Sequence, residues 1–285
     1  MPRHHIDLHQ SVRDVLLHTS PRLTEADCPF REFEQLASMG DSVLKYIDDH
    51  IEPDDVYQAV YDRHLGHLRR MVLAELIEAF ERFLKELAAL CIDHLAPYVA
   101  DDRFDEFMPR GDRLAAFVNA SSIGKALCES DTWLKNKVIN DRYRTLLKAP
   151  FGDPWDYLFP EENQRPINER ERAKTISILW QIRHNLAHNV GVLTHSDAMK
   201  FSVLVKRSVP ADCRLAPTTD DLRYVKRFLF ETARLTNQRI GERLAELLTL
   251  FHQDNPALFD AQDKANIVSQ QFALALTIHL QVGAL

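Results

Sequence analysis

With 285 residues, 45% of them hydrophobic and 27% charged, the chain has the makeup of a globular protein with a large core, as one big domain or one domain with appendages. Only 8 glycines stand against long runs of Leu, Ala, Glu, Arg and Lys, which predicts an all-α fold. The net charge of −7 argues at first against a nucleic-acid partner, but 6 Lys and Arg against 13 Asp and Glu in residues 1–66 carry all of it, and the other 219 residues are neutral.

The four cysteines, Cys28, Cys91, Cys128 and Cys213, are widely spaced and form no Cys-x-x-Cys pair. Neither a zinc site nor a disulfide framework is indicated, and a reducing, cytoplasmic location is expected. The opening Met-Pro-Arg-His-His-Ile-Asp-Leu-His has no apolar signal region, and the most apolar tail, Phe272 to Leu285, is too short to cross a bilayer. No export and no membrane anchor are expected.

Residues 1–66 read as short helices punctuated by Pro21, Pro29, Gly40 and Pro53, an acidic N-terminal helical extension. His4, His5 and His9 have a spacing that places no two metal ligands well. From about Tyr57 to Leu95 the pattern is strongly helical, with Leu73, Ile77, Phe80, Leu84, Leu87, Cys91 and Leu95 on one stripe. Leu76, Phe83 and Leu90 widen that face enough to meet two neighbouring helices, and Glu75, Glu78, Glu81 and Arg82 exclude a transmembrane helix.

An acidic connection over 96–111 leads to helical text over 112–147, where Lys135, Lys137, Arg142 and Arg144 are candidates to line a groove. Ser121-Ser122-Ile123-Gly124-Lys125 is no phosphate loop, because the earlier glycine of Gly-x4-Gly-Lys-Ser/Thr is replaced by Asn119. The segment from Pro150 to Pro166 is the clearest loop, broken by Pro150, Gly152, Pro154, Pro160 and Pro166. Its Phe151, Trp155, Tyr157 and Phe159 are expected to pin the loop to the core in preference to stacking on unpaired bases.

A helix is predicted over 168–190, with Glu169 and Glu171 near its positive end, and another over 194–206. After a loop at 208–217, Thr218 and Asp221 form a capping box that starts a helix at Asp220. Its stripe of Leu222, Val225, Leu229, Ala233, Thr236 and Ile240 runs towards Phe251. A last helix over 261–280 offers Phe272-Ala273-Leu274-Ala275-Leu276 for packing on the body or on a second subunit. The expected organisation is an extension over 1–66, a helical domain over 67–253, and a C-terminal helix within 254–285.

Chemistry concentrates at the end of the 168–190 helix, in Gln181-Ile182-Arg183-His184-Asn185-Leu186-Ala187-His188-Asn189. At about 100° per residue, Leu179, Ile182 and Leu186 share one face while His184 and His188 lie one turn apart on the other. Arg183 flanks them. A permanently charged, forked guanidinium beside two imidazoles that titrate near neutrality combines a phosphate anchor with proton transfer. The same residues also suit a solvated helix face, with a histidine favoured by the negative end of the helix dipole. Between Met199 and Arg239, 9 basic residues stand against 4 acidic ones, a local excess able to attract a phosphate backbone. Lys200, Lys206 and Arg207 of this stretch, with Asn189 of the motif run, are the candidate substrate-binding residues.

Arg183, His184 and His188 fill the three positions of an Arg-x4-His motif, and in a helical protein this resembles the HEPN superfamily, many of whose members are metal-independent endoribonucleases. The resemblance runs from about residue 67 to about 250. It includes Glu-Ala-Phe-Glu-Arg-Phe-Leu-Lys-Glu-Leu in the long first helix, Pro-Phe-Gly-Asp-Pro-Trp before the motif, and His-Asn-x-Gly-x-Leu-Thr followed by Asp197-Ala198 after it. That layout is similar to the larger stand-alone HEPN proteins of prokaryotes.

The resemblance implies a helical bundle of HEPN type and RNA cleavage by attack of the 2′-hydroxyl, leaving a 2′,3′-cyclic phosphate and a 5′-hydroxyl. It makes His188 the acid or base, Arg183 the charge stabiliser and His184 the polar partner, with no cofactor and no metal. It implies RNA as partner, a homodimer, and a cellular role as toxin, phage-defence effector or RNA-processing enzyme, with an antitoxin or inhibitor protein as a further partner in the toxin case. Other enzyme classes fit worse, since the chain has no His-Glu-x-x-His, no His-Asp dipeptide and no Gly-x-Ser-x-Gly. The rival reading is a non-catalytic helical module that binds RNA, nucleotide or a protein.

Overall fold

The computed structural model describes residues 28–51, 57–105, 107, 122–128, 133–149, 158–159, 166–254, 263 and 265–268. Among them the regular structure is helical, with one isolated antiparallel pairing between Val192 and Arg214. The fold is all-α. In chain order, α1 spans Pro29–His50, α2 Gln58–Leu95, α3 Ile123–Cys128, α4 Asn136–Leu146, α5 Ile167–Asn189, α6 His195–Val205 and α7 Thr219–Asp254, with a short 3-10 turn at Asp101–Phe104.

Helix α2 is the axis of the core. Its 38 residues extend about 57 Å at 1.5 Å per residue, and every member of the Leu73 to Leu95 stripe is buried, as are Leu76 and Phe83 of the second row. That broad face packs against α1, α3, α5 and α7 together, which a single narrow stripe would not permit. Phe80 meets Phe33 of α1 and Trp180 of α5 at centroid distances of 5.9 Å each. No helix among the described residues is long and apolar enough to cross a membrane.

Two expectations are corrected at the N-terminal side. Helix α1 runs unbroken through Gly40, although a glycine inside a helix costs about 1 kcal/mol relative to alanine. The reason is a tight crossing, since a Cβ on Gly40 would stand 2.8 Å from Val72 Cγ1. The expected boundary between residues 66 and 67 falls inside α2, and Phe30, Phe33, Ala37 and Leu44 of α1 belong to the same apolar cluster as α2, α5 and α7. His4, His5 and His9 lie outside the described residues.

The helical text over 112–147 is also interrupted. Residues 108–121 lie outside the described residues, and Lys135 is extended (φ −141°, ψ 127°) just before α4. Long-range contacts fix this break. Trp133 is fully buried, and its backbone N–H donates to the buried Glu81 carboxylate at 3.1 Å. Farther along, the Asn140 side chain brackets Phe159, donating to its carbonyl and accepting from its N–H, both at 3.0 Å. Phe159 thus pins the proline-rich loop, as expected, while Phe151, Trp155 and Tyr157 lie outside the described residues.

The Thr218–Asp221 box is in place, with Asp221 N–H donating to Thr218 Oγ1 at 3.1 Å and Thr218 N–H to Asp221 Oδ2 at 2.8 Å. Helix α7 begins one residue earlier than expected. Of the last helix, Ala265 and Val268 are buried on the body. Residues 269–285, with Phe272 to Leu276, lie outside the described residues.

Candidate functional site

Helix α5 starts after Pro166 and ends where Val190 (φ 50°) and Gly191 (φ 81°) both turn left-handed. Gly191 accepts this freely, whereas a β-branched valine there is strained. The backbone locks the turn from both sides: Val192 N–H donates to Asn189 O at 2.9 Å, and Leu215 N–H to Gly191 O, Leu193 N–H to Cys213 O and Asp212 N–H to Leu193 O, each at 2.8 Å. The chain therefore reverses, and α6 folds back beside the last turns of α5.

Asp197 ties the two helices together. Its carboxylate is 2% exposed and receives the side-chain amides of Gln181 at 3.1 Å, Asn185 at 3.0 Å and Asn189 at 2.8 Å, together with the Thr194 hydroxyl at 2.9 Å. Asp197 N–H returns to Thr194 Oγ1 at 3.2 Å, which completes a capping box for α6. Burial by itself opposes ionisation of this carboxyl, but the Thr194, Asn185 and Asn189 hydrogen bonds hold it below the ordinary carboxylate range.

The motif divides between faces as the periodicity requires. Leu179 is buried and Ile182 and Leu186 pack on the core, while His184 and His188 are exposed. The two imidazole rings lie 4.6 Å apart at 49°. Arg183 places Nη2 3.4 Å from Glu78 Oε1 of α2. A second anchor comes from α4. Asn136 donates from Nδ2 to Ala173 O and Ser177 Oγ, both at 2.7 Å, and accepts from Trp180 Nε1 at 3.1 Å. These bonds set Lys135 and Lys137 beside the motif.

The result is a cavity of about 590 Å³ between α5, α6 and the start of α4, lined by Lys135, Lys137, Arg183 and Lys200 together with His184 and His188. Among the described residues no carboxylate lines it, and the nearest charge partner of its arginine is Glu78, 3.4 Å from Arg183 Nη2. Such a cavity favours an anion and supplies both proton-transfer groups and a forked donor next to it. Among the described residues no three His, Cys, Asp or Glu side chains form a group able to hold a metal ion.

The structure thus brings Arg183, His184, His188 and Lys200 to one cavity, with Lys135 and Lys137 on its rim. Lys206 lines an adjoining one. Asn189 instead serves Asp197, Arg207 is exposed and lines neither cavity, Arg144 is exposed, and Arg142 is buried over the Trp133 ring at 4.8 Å. Glu78 and Asp197 are partners that motif reading passes over. Thr194-x-x-Asp197 carries a local capping signal, whereas nothing near Glu78 in sequence points to Arg183. Searches with this chain match no protein-family model, no curated protein and no solved structure.

Proposed function

We propose that the chain is a metal-independent endoribonuclease of the HEPN kind. The observation that carries this reading is the cavity in which Arg183, His184 and His188 meet three lysines, Lys135, Lys137 and Lys200. In the reaction the ribose 2′-oxygen attacks phosphorus, an imidazole takes its proton, the bond from phosphorus to the 5′-oxygen breaks, and a second acid protonates the leaving oxygen. Arg183, held at the cavity wall near Glu78, neutralises charge on the phosphorane-like transition state. His188 is the acid or base and His184 its polar neighbour.

In-line displacement wants base and acid on opposite sides of phosphorus, yet both imidazoles project from one face of α5, their rings 4.6 Å apart. This supports a homodimer in which a two-fold axis beside α5 sets a second Arg183 and His188 against the first, because an isologous interface repeats each contact. Light scattering at micromolar concentration is then expected to give about twice 32.9 kDa. A catalytically competent monomer would leave His184 and His188 of one chain to share the two roles.

The activity test is incubation of the purified protein with mixed single-stranded and structured RNAs in chelator, with end-group analysis of the products. Cyclic phosphate ends are expected. His188→Ala should lower the rate by about 10²–10⁴-fold and Arg183→Ala by about 10²–10³-fold. Full activity of the His188→Ala protein, or strict dependence on added magnesium, refutes the mechanism.

A further inference from the structure

One stripe of α5 continues well beyond the motif. Arg170, Lys174, Ser177, Gln181, His184 and His188 follow one another at intervals of four, three, four, three and four residues, so they share a face of the helix. Ser177, Gln181, His184 and His188 line the motif cavity. Arg170, Lys174 and the same Ser177 line a second cavity of about 310 Å³, together with Lys206 of the α6 terminus. Ser177 lines both cavities, which follow one another along the α5 stripe. Among the described residues the second is lined by three cations, Arg170, Lys174 and Lys206, and one carboxylate, Glu171. Lys206 sits in the left-handed region (φ 54°) as the residue that ends α6.

Resting on the ribonuclease reading, we infer that the second cavity is a phosphate subsite for the same strand, and that the substrate is an extended single-stranded RNA threaded along the whole α5 stripe. From Arg170 to His188 the helix rises about 27 Å at 1.5 Å per residue. A strand stacked as in a DNA duplex advances about 3.4 Å per nucleotide, so the stripe spans at most about eight nucleotides, and fewer of an extended strand. A strand crossing Ser177 brings its next phosphates to Lys174 and Lys206.

The test is binding of 4-nucleotide and 12-nucleotide single-stranded RNAs to the full-length His188→Ala protein in chelator, measured across a salt series. Lys174→Gln with Lys206→Gly removes two charges with little risk to the fold, since glycine accepts the left-handed backbone at position 206. Each phosphate contact contributes about −0.7 to the slope of log K against log salt for a single strand. The double variant is therefore expected to flatten the 12-nucleotide slope by about 1.4, which at 0.1 M salt corresponds to binding on the order of 25-fold weaker. The 4-nucleotide affinity should stay unchanged. An equal loss of charge away from the groove, Arg223→Gln with Arg227→Gln on the exposed side of α7, should leave the 12-nucleotide slope nearly as it was.

Equal affinity for the two lengths, or equal flattening by the α7 pair, overturns the subsite while the ribonuclease reading stands. Absence of binding to either RNA overturns both.

Discussion

Asp197→Ala removes the acceptor on which the end of α5 and the start of α6 converge. Hydrogen bonds to a charged group contribute about 1.5–3 kcal/mol each, and Asp197 receives side-chain donors from Gln181, Asn185, Asn189 and Thr194. Their losses do not simply add. Gln181 and Asn189 are half-buried and regain water, and Asn185 keeps the Val192 carbonyl at 2.7 Å, so the low end applies and the total comes to about 3–5 kcal/mol. The assay is urea unfolding, read as a fall in midpoint at constant slope. Asp221→Ala is the internal control: it has the same box geometry with Thr218 at an exposed helix start, where loss of a cap costs about 1 kcal/mol. If the two variants cost the same within about 0.5 kcal/mol, an error typical of such comparisons, the amide ladder on Asp197 contributes nothing beyond capping and the reasoning is refuted.

Val190→Gly should raise stability by about 1 kcal/mol by relieving a left-handed valine that is 63% exposed and gives up little burial; an unchanged or lower unfolding midpoint contradicts it. Gly124→Ala should destabilise by 3 kcal/mol or about that, because its Cβ would fall 2.0 Å from the Ala89 carbonyl oxygen, a backbone atom of α2; thermal melting of the variant checks it. Stability should decline in acid: the Asp197 and Asp221 carboxyls are both held below their ordinary 3.8, so their contribution is present above that value and is lost as the pH falls through the depressed folded values. A midpoint of unfolding independent of pH below 4 in wild type, or one whose acid dependence survives in the Asp197→Ala, Asp221→Ala double variant, counts against that assignment.

How far the sequence could be read depends on how local each signal is. Helices α2, α5, α6 and α7 announce themselves through apolar stripes and caps within a few residues, such as Thr218 with Asp221 or Leu73 with Ile77 and Phe80. The continuity of α1 through Gly40 depends on Val72, and the break before α4 on Glu81 meeting Trp133; neither neighbour is close in sequence. The same division runs through the site. Arg183, His184 and His188 are legible from spacing, and the flanking lysines from charge. Asn189, expected among the substrate-binding residues, gives its amide to a carboxylate eight positions on, a pairing that no local signal points to. The Arg183–Glu78 pair joins two helices that only tertiary packing brings together.

Helix α5 carries three separable tasks on three faces. Leu179, Ile182 and Leu186 face α2 and the core; Asn185 and Asn189 face Asp197; Lys174, Ser177, His184 and His188 face the groove; and Gln181, at the border of the last two faces, lines the groove while donating to Asp197. Exposed side chains on the last face contribute little to stability, since surface substitutions usually stay within about 0.5 kcal/mol. The apolar and amide faces hold the helix in register, and they do so without using the imidazoles. Loss of RNA cleavage in His188→Ala with an unchanged unfolding midpoint would therefore report chemistry alone, whereas Asp197→Ala would lower stability and activity together by letting the same imidazole move. The two variants make opposite demands on one helix, and measuring both separates a group that reacts from a group that positions it.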